Sequence, residues 1–287
     1  MMMEEKDIET GHGRTYALVT GAASGMGRIY AEKLAAMGYG LVLVDINAAG
    51  LEETRCIVNR GMSRGTAVQE ANGPNAPDII TVVQDLSASD AADRVYEKTS
   101  GLGCEVEVLV NNAGLMYCQG IVETSEKMLR TIMMVHMNTP LMLCRKYVPA
   151  MKERGCGYVL NISSLAAWMI WPGIGMYGVT KRFVRGYSRE LRIECAKTGV
   201  SVTNAYFGAV DTPLIPLSDR LRSLARALTV MIDPEKAVDK ALKATFRRRR
   251  GVMPGLLNKL FMPVAAILPD WLLGAVYRRT RSYMMKV

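Results

Sequence analysis

The sequence predicts an α/β fold: a single doubly wound parallel sheet of about seven strands with helices on both faces. Two observations predict it. Short apolar, β-branched runs recur along the chain, separated by longer segments whose apolar residues fall at helical intervals. The runs scarcely alternate with polar residues, as expected of strands covered on both faces.

Taken in order, Tyr16–Thr20 reads as a strand and the glycines of "TGAASGMG" as a turn. Ile29, Leu34 and Met37 then mark a helix, stopped at Gly38 and Gly40, and "LVLVD" is the next strand. The alternation continues with strands at 79–83, 106–110, 158–163 and 200–206. Helices fall at 88–100, 124–151, 177–198 and 234–247, with a short strand near Val252. Residues 60–78 are rich in Gly, Pro and Asn and read as a long loop. No linker divides the rhythm, so residues 14–255 are expected to be one domain. A loose tail at 1–13 precedes it and an appended segment at 256–287 follows.

Composition narrows the function. With 287 residues, 49% hydrophobic and 22% charged, the chain can bury a sizeable core. Six scattered cysteines without C-x-x-C spacing, and only His12 and His136, give no metal site and no disulfide framework. The cysteines read as reduced, buried thiols of a cytoplasmic protein, and His136 as a packed helix residue. The first residues lack the apolar stretch of a secretion signal. The net charge of +9 is local. From Lys240 onward four Lys and seven Arg face one acid, Asp270, an excess of +10 that leaves the rest near −1. A basic end beside apolar residues fits an anionic membrane surface better than nucleic acid, for which there is no motif.

Gly21, Gly25 and Gly27 occupy the strand-to-helix turn, where backbone N–H groups can approach a pyrophosphate at a helix N-terminus. This makes the fold Rossmann-type. Asp45 ends the second strand, 18 residues beyond Gly27, where a carboxylate accepts hydrogen bonds from the ribose hydroxyls of NAD and repels a 2′-phosphate. Arg28 argues the other way; on balance NAD is favoured over NADP.

Tyr177 and Lys181 stand four apart, on one face of a helix. Roughly one such pair is expected by chance in a chain this long, so the pair alone decides nothing. Its surroundings do. "TGAASGMG", "VD" at 44–45, "DL" at 85–86, "NNAG" at 111–114, Asn138, "NISS" at 161–164, "YGVTK" at 177–181 and "GAVDT" at 208–212 follow one another at consistent intervals. In these motifs the chain resembles the short-chain dehydrogenases/reductases over about residues 14–255. Phe207-Gly208 departs from the family's usual Pro-Gly.

The resemblance implies roles. Gly21, Ser24, Gly25, Met26 and Gly27 would wrap the pyrophosphate and adjoining ribose. Asp45 would hold the adenosine ribose, and Asp85 and Leu86 would flank the adenine. Asn112, Ala113 and Gly114 would lie under the cofactor, with Val210 and Thr212 at the nicotinamide. Asn138, Ser164, Tyr177 and Lys181 would be the catalytic set. It also implies a homodimer or homotetramer.

The chemistry is consistent. A phenol titrates near 10 and is a weak base at neutral pH; lowering that by ~3 needs ~4 kcal/mol, which Lys181 and a nicotinamide cation are expected to supply. Ser164 can orient the substrate oxygen, and Asn138 can hold a water that relays protons from Lys181.

Trp168, Met169, Ile170, Trp171 and Met176 read as an apolar substrate lining or as core. Leu214, Leu217, Leu221, Leu224 and Leu228 suit the inner face of a lid. The tail is too interrupted to span a bilayer, but could lie on one. "YAEKLA" and "MPGLLNKL" are weakly similar to the 17β-hydroxysteroid dehydrogenase and long-chain 3-oxoacyl reductase branch. The expectation is an NAD(H)-dependent oxidoreductase for the hydroxyl or ketone of an apolar molecule such as a steroid, acyl or sphingoid lipid. The rivals are a catalytically silent nucleotide-binding scaffold that docks through its tail, and a sugar epimerase or dehydratase.

Overall fold

Neighbouring residues of the central strands face opposite cores, which is why their sequence shows no polar alternation. In the computed structural model Ala17, Val19, Leu41 and Leu43 pack on one side of the sheet, and Leu18, Val42 and Val44 on the other. All seven are fully buried. The structure describes residues 15–65, 78–117, 119–170, 173–210, 231–255, 258 and 267–284. The expected tail at 1–13, Thr212, Trp171, the leucine-rich 213–230 segment and most of 256–266 lie outside them.

The first half runs β1 (Thr15–Thr20), α1 (Gly25–Ala36), β2 (Gly40–Asp45), α2 (Ala48–Gly65), β3 (Ile79–Val83), α3 (Ala91–Gly101) and β4 (Glu105–Asn111). Next come α4 (Glu126–Met133), a π turn (Met134–Asn138), α5 (Thr139–Arg154), β5 (Gly157–Ser164) and α6 (Met176–Glu194). β6 (Val200–Phe207), β7 (Ala209–Val210), β8 (Met231–Ile232), α7 (Pro234–Phe246), β9 (Gly251–Val252) and α8 (Asp270–Met284) complete the described chain. Seven strands form a parallel sheet in the order β3-β2-β1-β4-β5-β6-β9. α1, α2 and α7 cover one face, and α3, α5 and α6 the other. The strand order reverses between β1 and β4, which opens a crevice at their C-terminal ends.

Three expectations are corrected, on the loop after residue 60, on the helix after residue 124 and on the cysteines. Residues 60–65 continue α2: one interior glycine, Gly61, costs a helix only about 1 kcal/mol and does not end it. α1 buries Tyr30, Ala31 and Leu34, whereas Ile29 is half-buried and Met37, at the cap, is exposed. The long helix expected at 124–151 is interrupted by the π turn, for which sequence has no signature. The cysteines are not uniformly buried: Cys144 and Cys195 are, Cys104 and Cys156 are half-exposed, and Cys56 lies on the surface of α2.

α6 is locked to the sheet through its polar face. Asn111 on β4 donates to Asn161 on β5 (2.8 Å), Asn161 donates to Ser188 on α6 (2.9 Å), and Ser188 donates to the Val184 carbonyl (2.5 Å). These three residues are buried, and such a chain fixes one register of helix on sheet.

Candidate active site

The glycine turn fits a phosphate by exclusion of side chains. Gly21 has φ +68°, a conformation open to glycine, and its N–H donates to the Val44 carbonyl (2.8 Å). A Cβ at Gly27 would run into the Gly21 carbonyl oxygen, and one at Gly21 would meet Ala113. Gly25 also has positive φ (53°). Ser24 stands at the N-cap of α1, yet its hydroxyl does not cap the helix. The first-turn N–H groups of Met26 and Gly27 are thus left without a side-chain cap, and the residues present fit a dinucleotide pyrophosphate. Gly27→Ala is expected to weaken dinucleotide binding at least tenfold, or to destabilise the fold by about 1–3 kcal/mol through overpacking. Calorimetry and chemical denaturation separate the two; wild-type values in both would refute the close packing of this turn.

Asp45 is fastened beside that turn. Its Oδ2 accepts from Ala23 N (3.1 Å) and its Oδ1 from Asn47 N (3.0 Å). Arg28 is already committed. It forms a two-pronged ion pair with Glu53 (2.7 and 3.1 Å) and donates to Thr54 (3.1 Å) and the Ala23 carbonyl (2.8 Å). The Arg28 guanidinium also holds the Glu53 carboxyl below its usual range. Further along the crevice Asp85 Oδ1 accepts from Ser87 N (2.8 Å) and Oγ (2.7 Å), and Leu86 is buried under Thr139, which donates to its carbonyl (2.8 Å). Thr20 ties the strand ends together by accepting from Asn112 N and Ala113 N, both at 3.0 Å. Val210 is buried at the end of β7.

At the other side of the crevice, Ser164 ends β5 and Tyr177 opens α6. The Tyr177 phenol hydrogen-bonds Ser164, which opposes the larger effect of burial; the net is a phenol raised above its ordinary value. Lys181 Nζ stands 5.7 Å from the Tyr177 ring centre and donates to the Ile162 carbonyl (3.0 Å). Burial lowers Lys181 itself to about 8. Asn138 closes the π turn in front of α5.

Two residues, His136 and Thr180, gain site contacts that motif reading did not assign. His136 is buried; its Nε2 accepts from Leu115 N (3.0 Å) and its Nδ1 meets Thr180 Oγ1 (2.9 Å), which donates to the Tyr177 carbonyl (2.8 Å). An accepting Nε2 places the proton of a neutral ring on Nδ1. Burial and the Lys181 charge hold the imidazole well below its usual range. His136 thus braces the catalytic helix as a packed, neutral residue, as expected. Gly114 permits this approach, since its Cβ would lie 3.0 Å from His136 Nε2. Thr180 completes the brace. Helical spacing from Tyr177 could have flagged Thr180; nothing local marks His136.

The expected apolar lining divides. Met169 is buried with Leu165 and Met253 packed around it, Trp168 lies edge-on to Tyr206, and Ile170 is 54% exposed. α8 reaches the entrance: a Cβ at Gly120 would lie 3.3 Å from the Tyr277 hydroxyl, and Gly175, next to α6, abuts Gln119. Among the described residues no helix is long and apolar enough to cross a membrane.

Comparison with known proteins agrees with this fold. The family model described as short chain dehydrogenase matches residues 15–220. A very-long-chain 3-oxoacyl-CoA reductase of Bos taurus is 28% identical over 262 residues, spanning 90% of this chain and 76% of that protein. A short-chain dehydrogenase from Sphingobium yanoikuyae in complex with NADPH superposes with TM-score 0.71 at 22% identity, covering 89% of this chain and 96% of that one. A short-chain dehydrogenase from Mycobacterium paratuberculosis bound to NAD gives TM-score 0.67 at 22% identity, over 83% and 94%. At these identities the two structures speak for the fold.

Proposed function

Because the chain belongs to the short-chain dehydrogenase family and is an NAD(P)-dependent oxidoreductase, we propose that it interconverts a hydroxyl and a ketone on an apolar molecule with NAD(H). The observation that carries this reading is the convergence of Ser164, Tyr177 and Lys181 on one side of a crevice whose other side is a side-chain-free phosphate cradle. NAD(H) supplies or takes the hydride. Tyr177 gives a proton to the carbonyl oxygen in reduction; a phenol raised by burial is fully protonated at neutral pH and ready to donate. Ser164 orients that oxygen. Lys181 supplies the positive charge that favours a phenolate once the proton has left, and Asn138 serves the return of protons from solvent. Val210 and Thr212 stand for the nicotinamide side.

NAD is preferred over NADP in this reading because both candidate determinants oppose a 2′-phosphate. Asp45 presents a carboxylate there, and Arg28 is held by Glu53. Side-by-side calorimetry with NADH and NADPH tests it: NADH should bind at least tenfold more tightly, and the reverse order would sink the role given to Asp45.

An apolar substrate is supported by the exposed apolar side chains Ile121, Val122 and Ile170 and by the bovine relative's name. Turnover should be faster with a long-chain 3-oxoacyl thioester or a steroid ketone than with a short polar ketone. Equal rates would remove the apolar specificity and keep the reaction. Exposed Met128, Met133 and Val179, on the helices that lead to Asn138 and carry Tyr177, support a homodimer or homotetramer.

A further inference from the structure

On the α6 side of the sheet, β6 and the edge strand β9 form the floor of a cleft of ≈ 960 Å³. Its charged lining is all of one sign. Arg185, Arg189 and Arg192 come from one face of α6, at intervals of four and three residues. Arg249 and Arg250 come from the turn that leads into β9. Among the described residues no acid lines the cleft, and none of the five arginines belongs to an ion pair.

Two of the guanidiniums are already ordered. The Arg185 guanidinium carbon stands over the Trp168 ring, 3.4 Å from its centre. Arg192 donates to the carbonyls of Val202 (2.9 Å) and Arg248 (2.7 Å), groups that fix its position without neutralising it. Arg185 and Arg250 both bear on the Tyr206 hydroxyl, which burial raises and these cations lower. Two residues of the lining, Trp168 and Asn204, each bury a polar atom without a partner, Nε1 and Oδ1, closed off from the cleft's solvent.

Concentrating five cations without a carboxylate costs self-repulsion and creates a strong positive potential. Arginine forks match the oxygens of a phosphate in pairs, and side chains held in advance lose less entropy on binding it. We propose that this cleft is a binding site for a phosphate-bearing anion, either a free phosphorylated molecule or the phosphate headgroup of a lipid. It is separate from the cofactor cradle: β9 lies four strand positions from β1, about 19 Å across the sheet. It stands independently of the reaction proposed above.

The test is calorimetric titration of inorganic pyrophosphate into the full chain, with NADH present to occupy the glycine turn. A parallel assay measures sedimentation with phosphatidylcholine vesicles with and without phosphatidic acid. Arg189 and Arg250 are exposed, so Arg189→Gln with Arg250→Gln should leave the fold intact. The pair of changes is expected to weaken the binding at least about tenfold. Arg182→Gln, an exposed arginine outside the cleft lining, controls for net charge and should bind as wild type. Pyrophosphate binding without vesicle binding identifies a free phosphate ligand. Vesicle binding that requires phosphatidic acid and both arginines identifies a headgroup. The inference is overturned if wild type binds neither probe, if the double variant binds as tightly as wild type, or if Arg182→Gln weakens binding equally.

Discussion

Tyr177→Phe is expected to lower turnover by about 10²–10⁴-fold, the range that a positioned proton donor contributes, while NADH binds as in wild type. The substitution spares the cofactor side of the crevice. The glycine turn, Asp45 and the Thr20 contacts that join the strand ends lie across the crevice from the phenol and do not depend on it. The Tyr177 carbonyl still accepts from Thr180, so the brace through His136 survives. What goes is one hydroxyl and its bond to Ser164. Turnover within a few fold of wild type would remove Tyr177 from the reaction. Lost NADH binding would instead show that the ring holds the cofactor site together.

Lys181→Met should separate activity from stability. Turnover should fall by at least about 10²-fold, because the charge that favours the phenolate is gone. Stability at pH 7 should rise, by about 1–2 kcal/mol. Lys181 is 5% exposed, and burial lowers it from an ordinary 10.5 to about 8. The folded state therefore holds this proton less tightly than the unfolded chain, a cost of up to about 3 kcal/mol below pH 8. Losing the bond to the Ile162 carbonyl offsets part of the gain. The sign follows from proton counts. Between pH 8 and 10.5 the unfolded chain carries more protons, so wild type gains stability from this group as pH rises, and the difference from the Met variant narrows. Chemical denaturation of both proteins at pH 7 and at pH 9.5 checks it. A variant less stable at pH 7, or a gap that widens with pH, would show that the buried ammonium is not a burden on the fold.

The sheet was legible because fully buried parallel strands leave unbroken apolar runs such as "LVLVD", and the cradle because a tight strand-to-helix turn calls for glycine at Gly21 and Gly27. The family's motifs placed Ser164, Tyr177 and Lys181 on adjoining elements. What escaped reading depends on contacts distant in sequence. His136 reaches Thr180, 44 residues on, and the π turn that carries it has no residue signature. The direction of the Tyr177 phenol could not be read from i,i+4 spacing, because it turns on how deeply the folded chain buries the hydroxyl. Glycines and the polar run made 60–65 look like a loop, although the start of α2 carries the helix through them. The arginine cleft was hidden for a related reason: α6 and the segment before β9 are far apart in the chain, and only their meeting over β6 makes one surface.

The brevity of β9 has a consequence for behaviour in crowded solution. A sheet that ends in a long, flat, apolar strand offers a row of open N–H and C=O groups on which another chain can grow. Here that margin is two residues, Gly251 and Val252, preceded by four consecutive arginines at 247–250. Any molecule adding itself edge to edge would gain few backbone bonds and would have to bring those charges face to face with its own. At this edge of the sheet the charged, two-residue margin thus guards against fibrous aggregation.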